Sequence, residues 1–422
     1  MRSFGTRFGE RMARHTGALE LMDDLGDAAA RAGTAAIHML GGGNPARIAA
    51  VEAVYRRRLQ EIAADPAQFG RFAGSYSAPA GDLSFREALA ETLRRDQGWP
   101  VTARNVGLAS GSQSAFFFLF NLFAGERADG KRSRILLPLA PEYIGYADLG
   151  LVDSMFVSQP AVIEDLPGGL FKYHVDFERL AIPADTGAIC VSRPTNPSGN
   201  VLTRAELDRL DELARRSGVP LIVDAAYGLP FPGIQYAHLD SLWNPNVVLC
   251  LSLSKLGLPG TRTGIVVADE PVIDALTAFN ATAALAPGST GPVIVEPLLR
   301  SGELDRLCVE QVRPHYASLC EQAVAALRDA CRDLPLRIHK PEGAFFLWLW
   351  FPGLPIASAE LYRRLRQRDV FVLSGHHFFP GLATESRHRH ECVRLSYAQP
   401  IANVRAGIAI LAEEVRRAYD GG

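Results

Sequence analysis

The stretch Leu249-Cys250-Leu251-Ser252-Leu253-Ser254-Lys255-Leu256-Gly257-Leu258-Pro259-Gly260-Thr261-Arg262 runs from an apolar segment through one lysine into a Gly/Pro turn and an arginine. Apolar residues recur at Val247, Leu249, Leu251 and Leu253, which predicts a buried strand that delivers Lys255 to its end. A lysine at the mouth of a buried strand is partly desolvated; its pKa falls, and the neutral amine becomes able to attack a carbonyl. Taken alone, the residue reads more simply as a surface lysine whose stem packs on apolar neighbours. The surrounding chain has to decide between the two.

Outward from that strand the same layout recurs. Strand 221–223 ends at Asp224, Ala225, Ala226 and Tyr227, and strand 188–192 meets Arg193-Pro194-Thr195-Asn196-Pro197-Ser198-Gly199-Asn200. Strand 106–109 enters Ser110-Gly111-Ser112-Gln113-Ser114 and then a very apolar helix over 115–123. Strand, small-residue turn and buried helix leave backbone N–H groups and the positive helix end free to hold a phosphate. Strand 135–137 leads into a turn containing Pro141-Glu142-Tyr143, and a further strand covers 264–267. Helices at 83–93, capped by Asp82, and at 204–217 alternate with these strands. The alternation implies an open, mostly parallel sheet whose site lies at the carboxyl edge of the strands.

After about residue 300 the pattern changes. A long helix over 303–331 is followed by strands at 336–338 and 344–350, a helix over 357–368, a strand over 370–373, a loop over 374–389, a strand over 392–397 and a closing helix over 401–419. This reads as a separate α+β unit. With 422 residues, more than one core normally serves, the expected division is a large unit at 61–305 and a small one built from 1–60 and 306–422. At the amino end an amphipathic piece covers 19–25 and a helix 48–62, separated by Gly41-Gly42-Gly43-Asn44-Pro45, a place for a tight turn or a close backbone approach.

Composition narrows the partners. A net charge of -2 argues against nucleic acid or an anionic membrane surface. The longest apolar run, 115–123, is too short to span a bilayer and holds Asn121. Arg2, Arg7, Arg11 and Arg14 precede no apolar stretch, and Glu10, Glu20, Asp23 and Asp24 argue against a transit peptide. Six cysteines without close pairing suit reduced thiols in the cytoplasm. His376, His377, His388 and His390, with Glu391 and Cys392, read as a polar loop, and no metal site is expected.

In their order, Gly111-Ser112, Tyr143, Asn196, Asp224, Tyr227, Ser252, Lys255, Arg262 and Arg394 resemble the site of the fold type I, pyridoxal-phosphate-dependent aminotransferases, and the resemblance extends over almost the whole chain. It implies a mostly parallel seven-stranded α/β sheet with helices on both faces and a smaller α+β domain. It implies pyridoxal 5'-phosphate as cofactor, with Lys255 as both its covalent tether and the proton shuttle, and Asp224 on the ring nitrogen. Asn196 and Tyr227 would meet the ring oxygen, Tyr143 would stack on the ring, Gly111, Ser112, Ser252 and Arg262 would hold the phosphate, and Gln113 and Ser254 would also contact the cofactor. Tyr76 would reach the same phosphate across a homodimer interface. Arg394, with Asn196, Gly41 and Gly42, would receive the substrate. Many relatives place the phosphate arginine eight positions after the lysine. Here Arg262 is seven after Lys255, and Arg193 is the other basic candidate.

Within the family, the opening residues, the Gly41–Asn44 run and Pro341-Glu342-Gly343-Ala344-Phe345-Phe346 are similar to the branch that moves an amino group between L-valine and pyruvate. The resemblance makes residues 1–25 part of the mature protein. Two alternatives stand beside it. One is an aminotransferase for another neutral donor, such as alanine or 2-aminobutyrate. The other is a cofactor-binding regulatory protein without turnover, although no basic helix-turn-helix precedes the fold.

Overall fold

The computed structural model describes residues 5–13, 26, 37–237 and 240–421. The expected amphipathic piece at 19–25 lies outside the described residues. The main sheet runs, in spatial order, Val106–Ala109, Gly264–Val267, Val247–Ser252, Leu221–Asp224, Thr186–Ser192 and Arg132–Ala140, with Phe156–Pro160 beyond it. Of these seven, only Gly264–Val267 runs antiparallel to its neighbours. A two-residue strand, Gly125–Glu126, folds back on the start of Arg132–Ala140 as an eighth.

Both faces of this sheet are covered, which is why its strands read as near-continuous apolar runs. Val247, Leu249 and Leu251 join one core with Ile189, Val191, Leu221 and Val223, beneath the helices Leu83–Gln97, Arg204–Arg216 and Thr290–Arg300. Val248 and Cys250 point the other way, into a second core with Phe116, Phe120, Ile135 and Ile222 under the helices Ser112–Phe123 and Glu270–Ala284. Each large side chain so buried contributes roughly 1.5–3 kcal/mol.

Local chemistry fixes the helix ends. The Asp82 carboxylate accepts from Phe85 N at 2.9 Å, and Gly98 closes that helix with a left-handed φ of 68°. Thr203 and Glu206 cap Arg204–Arg216 reciprocally.

A second, six-stranded sheet runs Leu373–Ser374, Cys392–Ser396, Phe346–Trp350, Arg337–His339, Leu170–His174 and Val162–Leu166. His38–Met39 pairs in parallel with Val370–Phe371. The expected strand at 370–373 is thus divided between two partners. The long helix expected over 303–331 is one run broken by a π-helical turn, Cys308–Val312, just before Pro314, whose missing N–H interrupts the regular ladder. The loop after Ser374 contains a 3₁₀ turn, Gly375–Phe378, and the short helix Arg387–Glu391.

All six cysteines are buried and free. His388 is packed edge-on against Trp350, with ring centroids 4.5 Å apart. Among the described residues no helix is long and apolar enough to cross a membrane.

Candidate active site

At the carboxyl edge of the main sheet, the turns after its parallel strands surround a cavity of about 520 Å³. Ser112, Gln113, Tyr143, Asn196, Asp224, Tyr227, Ser252, Ser254, Lys255, Arg262 and Arg394 all line it. Ser112 to Arg262, 150 positions apart in sequence, meet here because the parallel strands end on one side of the sheet, and Arg394 reaches the same cavity from the second sheet.

Lys255 sits in the 3₁₀ turn Ser254–Leu256 that follows the strand Val247–Ser252. Its Nζ donates to Gly43 O at 2.7 Å and lies 5.2 Å and 5.4 Å from the ring centroids of Tyr227 and Phe345. Burial, helped by the positive charges of Arg394 and Arg262, pulls its pKa down to about 8, with Asp224 opposing the fall. Asp224, at the end of its strand, accepts from Tyr146 Oη at 2.7 Å and from Ala226 N at 3.0 Å. Burial raises its pKa, and the backbone and Tyr146 hydrogen bonds and Lys255 counter that rise.

Arg394 lies inside the second sheet, fully enclosed. Its Nη1 donates to Asn196 Oδ1 at 2.7 Å and its Nη2 to Gly41 O at 2.6 Å, while the guanidinium sits 4.0 Å above the Phe346 ring. Its Nε is buried with no partner. Desolvation lowers its pKa to about 10, still charged at neutral pH.

Ser112 opens the helix Ser112–Phe123, whose N-cap, Gly111, has no side chain to satisfy the first-turn N–H groups. Gly111 has φ 93°, and a Cβ there would stand 2.3 Å from Arg262 Nη2. Only glycine lets the arginine lie against the helix end. Arg262 thus reaches the cavity despite the shorter turn, adopting a left-handed φ of 48° to do so. Arg193 is committed elsewhere, donating to Leu202 O at 2.9 Å and Asp240 O at 2.7 Å. Gly145 makes room for Tyr143 in the same way, since a Cβ would fall 2.4 Å from its ring.

Four expected residues are not in the lining. Gly111 stands behind Arg262, Gly41 contributes its carbonyl to Arg394, Gly42 has open space around it, and Tyr76 is 85% exposed. Gly43, not singled out among the three glycines, is the one at the cavity. Tyr146, which bonds Asp224, and Ser192 and Glu142, which connect to it in turn, were also missed; Ser192 itself lines the cavity. The repeat Tyr143-x-x-Tyr146 in the turn was the available signal.

The residues fit pyridoxal 5'-phosphate. Three cations, Lys255, Arg262 and Arg394, face one carboxylate, Asp224, across a cavity with an uncapped helix N-terminus and an unpartnered buried Nε. That donor set suits a ligand with a phosphate, a protonatable ring nitrogen and a carboxylate beside it.

The family model for aminotransferase class I and II matches residues 45–411. Valine–pyruvate aminotransferase of Escherichia coli (strain K12) is 48% identical over 415 residues, 98% of each chain. The crystal structure of valine–pyruvate aminotransferase from Salmonella typhimurium LT2 superposes with a TM-score of 0.88 at 46% identity, covering 96% of this chain and 100% of that one. The aspartate/prephenate aminotransferase of Thermus thermophilus is 27% identical, with 81% of this chain and 84% of the relative aligned.

Proposed function

The chain belongs to the aminotransferase class I and II family, and from that premise we propose that it moves an amino group between L-valine and pyruvate, giving 3-methyl-2-oxobutanoate and L-alanine. The observation that carries this reading is the 48% identity to a valine–pyruvate aminotransferase along 98% of both chains. The protein is a pyridoxal 5'-phosphate enzyme. When bound, the cofactor supplies an aldehyde to receive the amino group and a ring to take up electron density from Cα.

The rest is the work of this chain's own residues. Lys255 presents an amine that is neutral in useful amount near pH 8, tethers the cofactor, and then moves the proton to and from the substrate's Cα. Asp224 is the carboxylate that keeps the ring nitrogen protonated. Ser112, Ser252 and Arg262 hold the phosphate, with Gly111, Gln113 and Ser254 shaping the turn around them. Tyr143 gives the ring a flat face. Asn196 and Tyr227 address the ring oxygen.

Arg394 receives the substrate α-carboxylate as a fixed fork, oriented by Asn196 and the Gly41 carbonyl. Phe346 and Phe378, below its guanidinium, keep water away. A single buried carboxylate anchor suits an amino acid with a neutral side chain.

On this reading residues 61–305 form the cofactor unit, and 1–60 with 306–422 the smaller substrate-facing unit. The protein works in the cytoplasm as a homodimer, with exposed Tyr76 extending to the neighbouring subunit's phosphate site. One methylene changes transition-state binding by only about 1–3 kcal/mol, so the donor must be measured. The test is a pyruvate-coupled assay across valine, alanine, 2-aminobutyrate, leucine and aspartate. Valine is expected to have the highest kcat/KM; aspartate in first place would overturn the substrate assignment.

A further inference from the structure

Behind Asp224 lies a second acid that the reaction scheme does not use. Glu142 is buried, and its hydrogen-bond partners are all neutral: Ser192 N donates to Oε1 at 2.8 Å, Tyr143 N to Oε2 at 3.2 Å, and Ser192 Oγ lies 2.5 Å from Oε2. Ser192 Oγ is also 3.3 Å from Tyr146 Oη, which in turn bonds Asp224 Oδ2 at 2.7 Å. The four side chains form one connected run, Glu142, Ser192, Tyr146 and Asp224, of which Ser192 and Asp224 also line the cavity.

Counting protons along that run leaves two arrangements. This count rests on Asp224 being the ionised partner of the cofactor's ring nitrogen. An ionised carboxylate only accepts, so Tyr146 spends its single O–H on Asp224. The Tyr146 oxygen is then free to accept from Ser192 at 3.3 Å, while an ionised Glu142 would instead take the Ser192 O–H across the shorter contact. With Ser192 donating to Tyr146, the short contact between Ser192 Oγ and Glu142 takes its proton from Glu142, and the choice between the two arrangements falls to the charges around them.

The surroundings make that choice. Two carboxylates joined through two hydroxyls in one buried region cannot both stay ionised without cations. Asp224 has the positive charge of Lys255 to favour its anion. Glu142 has no ion pair with any described Lys, Arg or His, and burial, opposed by the hydrogen bonds from Ser192 and Tyr143 N and reinforced by the charge of Asp224, pushes its pKa up to about 8.

We propose that Glu142 is a protonated carboxylic acid and a positioning residue, the head of a one-way O–H chain through Ser192 and Tyr146 that ends on Asp224. The chain keeps the negative charge on the carboxylate that faces the cavity. Because each O–H polarises the next, it also strengthens the last bond, to Asp224.

The test is infrared spectroscopy of the cofactor-loaded protein without substrate, at a pH at least a unit below the value of about 8 given for Glu142. The wild type should show a deuterium-sensitive C=O stretch of a protonated carboxylic acid that is missing in Glu142→Gln. Tyr146→Phe, which cuts the chain beyond Ser192, should keep the band but shift it. Loss of a carboxylate band instead in Glu142→Gln, or an unshifted acid band in Tyr146→Phe, would overturn the proposal. The second comparison stands alone if Glu142→Gln does not fold.

Rescue adds a functional readout. Glu142→Gln retains an N–H donor toward Ser192 and an acceptor for its backbone, giving up the contact from Tyr143 N. It should therefore recover about tenfold of the kcat/KM lost in Glu142→Leu, the scale of one buried hydrogen bond. Equal activities in the two variants would count against the chain. Failure of the Asp224 assignment would show separately, as an Asp224→Asn protein that holds the cofactor as tightly as wild type.

Discussion

At the scale of single residues, the proposed reaction turns on Lys255, and its environment sets a pH dependence. Its pKa is lowered to about 8, so below that pH the amine is protonated and cannot attack a carbonyl. Above it the neutral amine dominates. The rate at which cofactor-free protein captures an aldehyde at Lys255 should therefore rise as pH passes through about 8 and then level off, followed by stopped-flow absorbance. A rise placed instead near the ordinary lysine value of 10.5 would mean that the amine is not desolvated in solution. Gly111 makes a second residue-scale case. Alanine there must adopt a conformation essentially reserved for glycine and would meet Arg262 Nη2 at 2.3 Å. Gly111→Ala should cost about 1–3 kcal/mol of stability and weaken cofactor retention, measured by thermal melting and by equilibrium dialysis of the cofactor. Retention unchanged from wild type would separate Arg262 from the phosphate.

Elements that carry the site were legible where one strong physical signal dominated. Val247–Ser252 and Leu221–Asp224 are buried on both faces, so their apolar runs stop abruptly at Ser252 and Asp224, and the polar residues after them mark the catalytic edge. Phe156–Pro160, Val162–Leu166 and Leu170–His174 were missed. Glu164, Asp165 and Lys172 interrupt the last two, and Lys172 is buried because it pairs with Glu342 and donates to Asn200 and Val201, all distant in sequence. Ser192 and Glu142 escaped for the same reason: their local sequence is ordinary and tertiary contact connects them to Asp224, whereas Tyr146 had only its spacing from Tyr143 to mark it. Where the signal is a cap, the element can be tested without touching the site. Thr203→Ala removes one half of the capping box on Arg204–Arg216. It should lower stability by about 1 kcal/mol, seen as a lower Tm, with kcat unchanged. A fall in kcat without a change in Tm would mean that this helix end serves the chemistry directly.

For the molecule as a whole, the two sheets divide the cavity: the main sheet ends supply Ser112, Asp224, Ser252, Lys255 and Arg262, and the second sheet supplies Arg394. Tyr76 is 85% exposed in the single chain, and in the proposed homodimer it extends to the neighbouring subunit's site. Mixing inactive Lys255→Ala protein with a cofactor-deficient Tyr76→Ala protein should therefore restore activity as subunits exchange, because one hybrid site then has both residues intact. No recovery in mixtures shown to contain hybrid dimers would confine each site to one chain. The central claim, that this cavity transfers an amino group from valine to pyruvate by way of Lys255, is tested most directly by labelled nitrogen. Purified, cofactor-loaded protein given valine with isotopically labelled nitrogen and unlabelled pyruvate should yield alanine carrying the label, and Lys255→Ala should yield none. Unlabelled alanine, no alanine, or label transfer that survives loss of Lys255 would contradict the account.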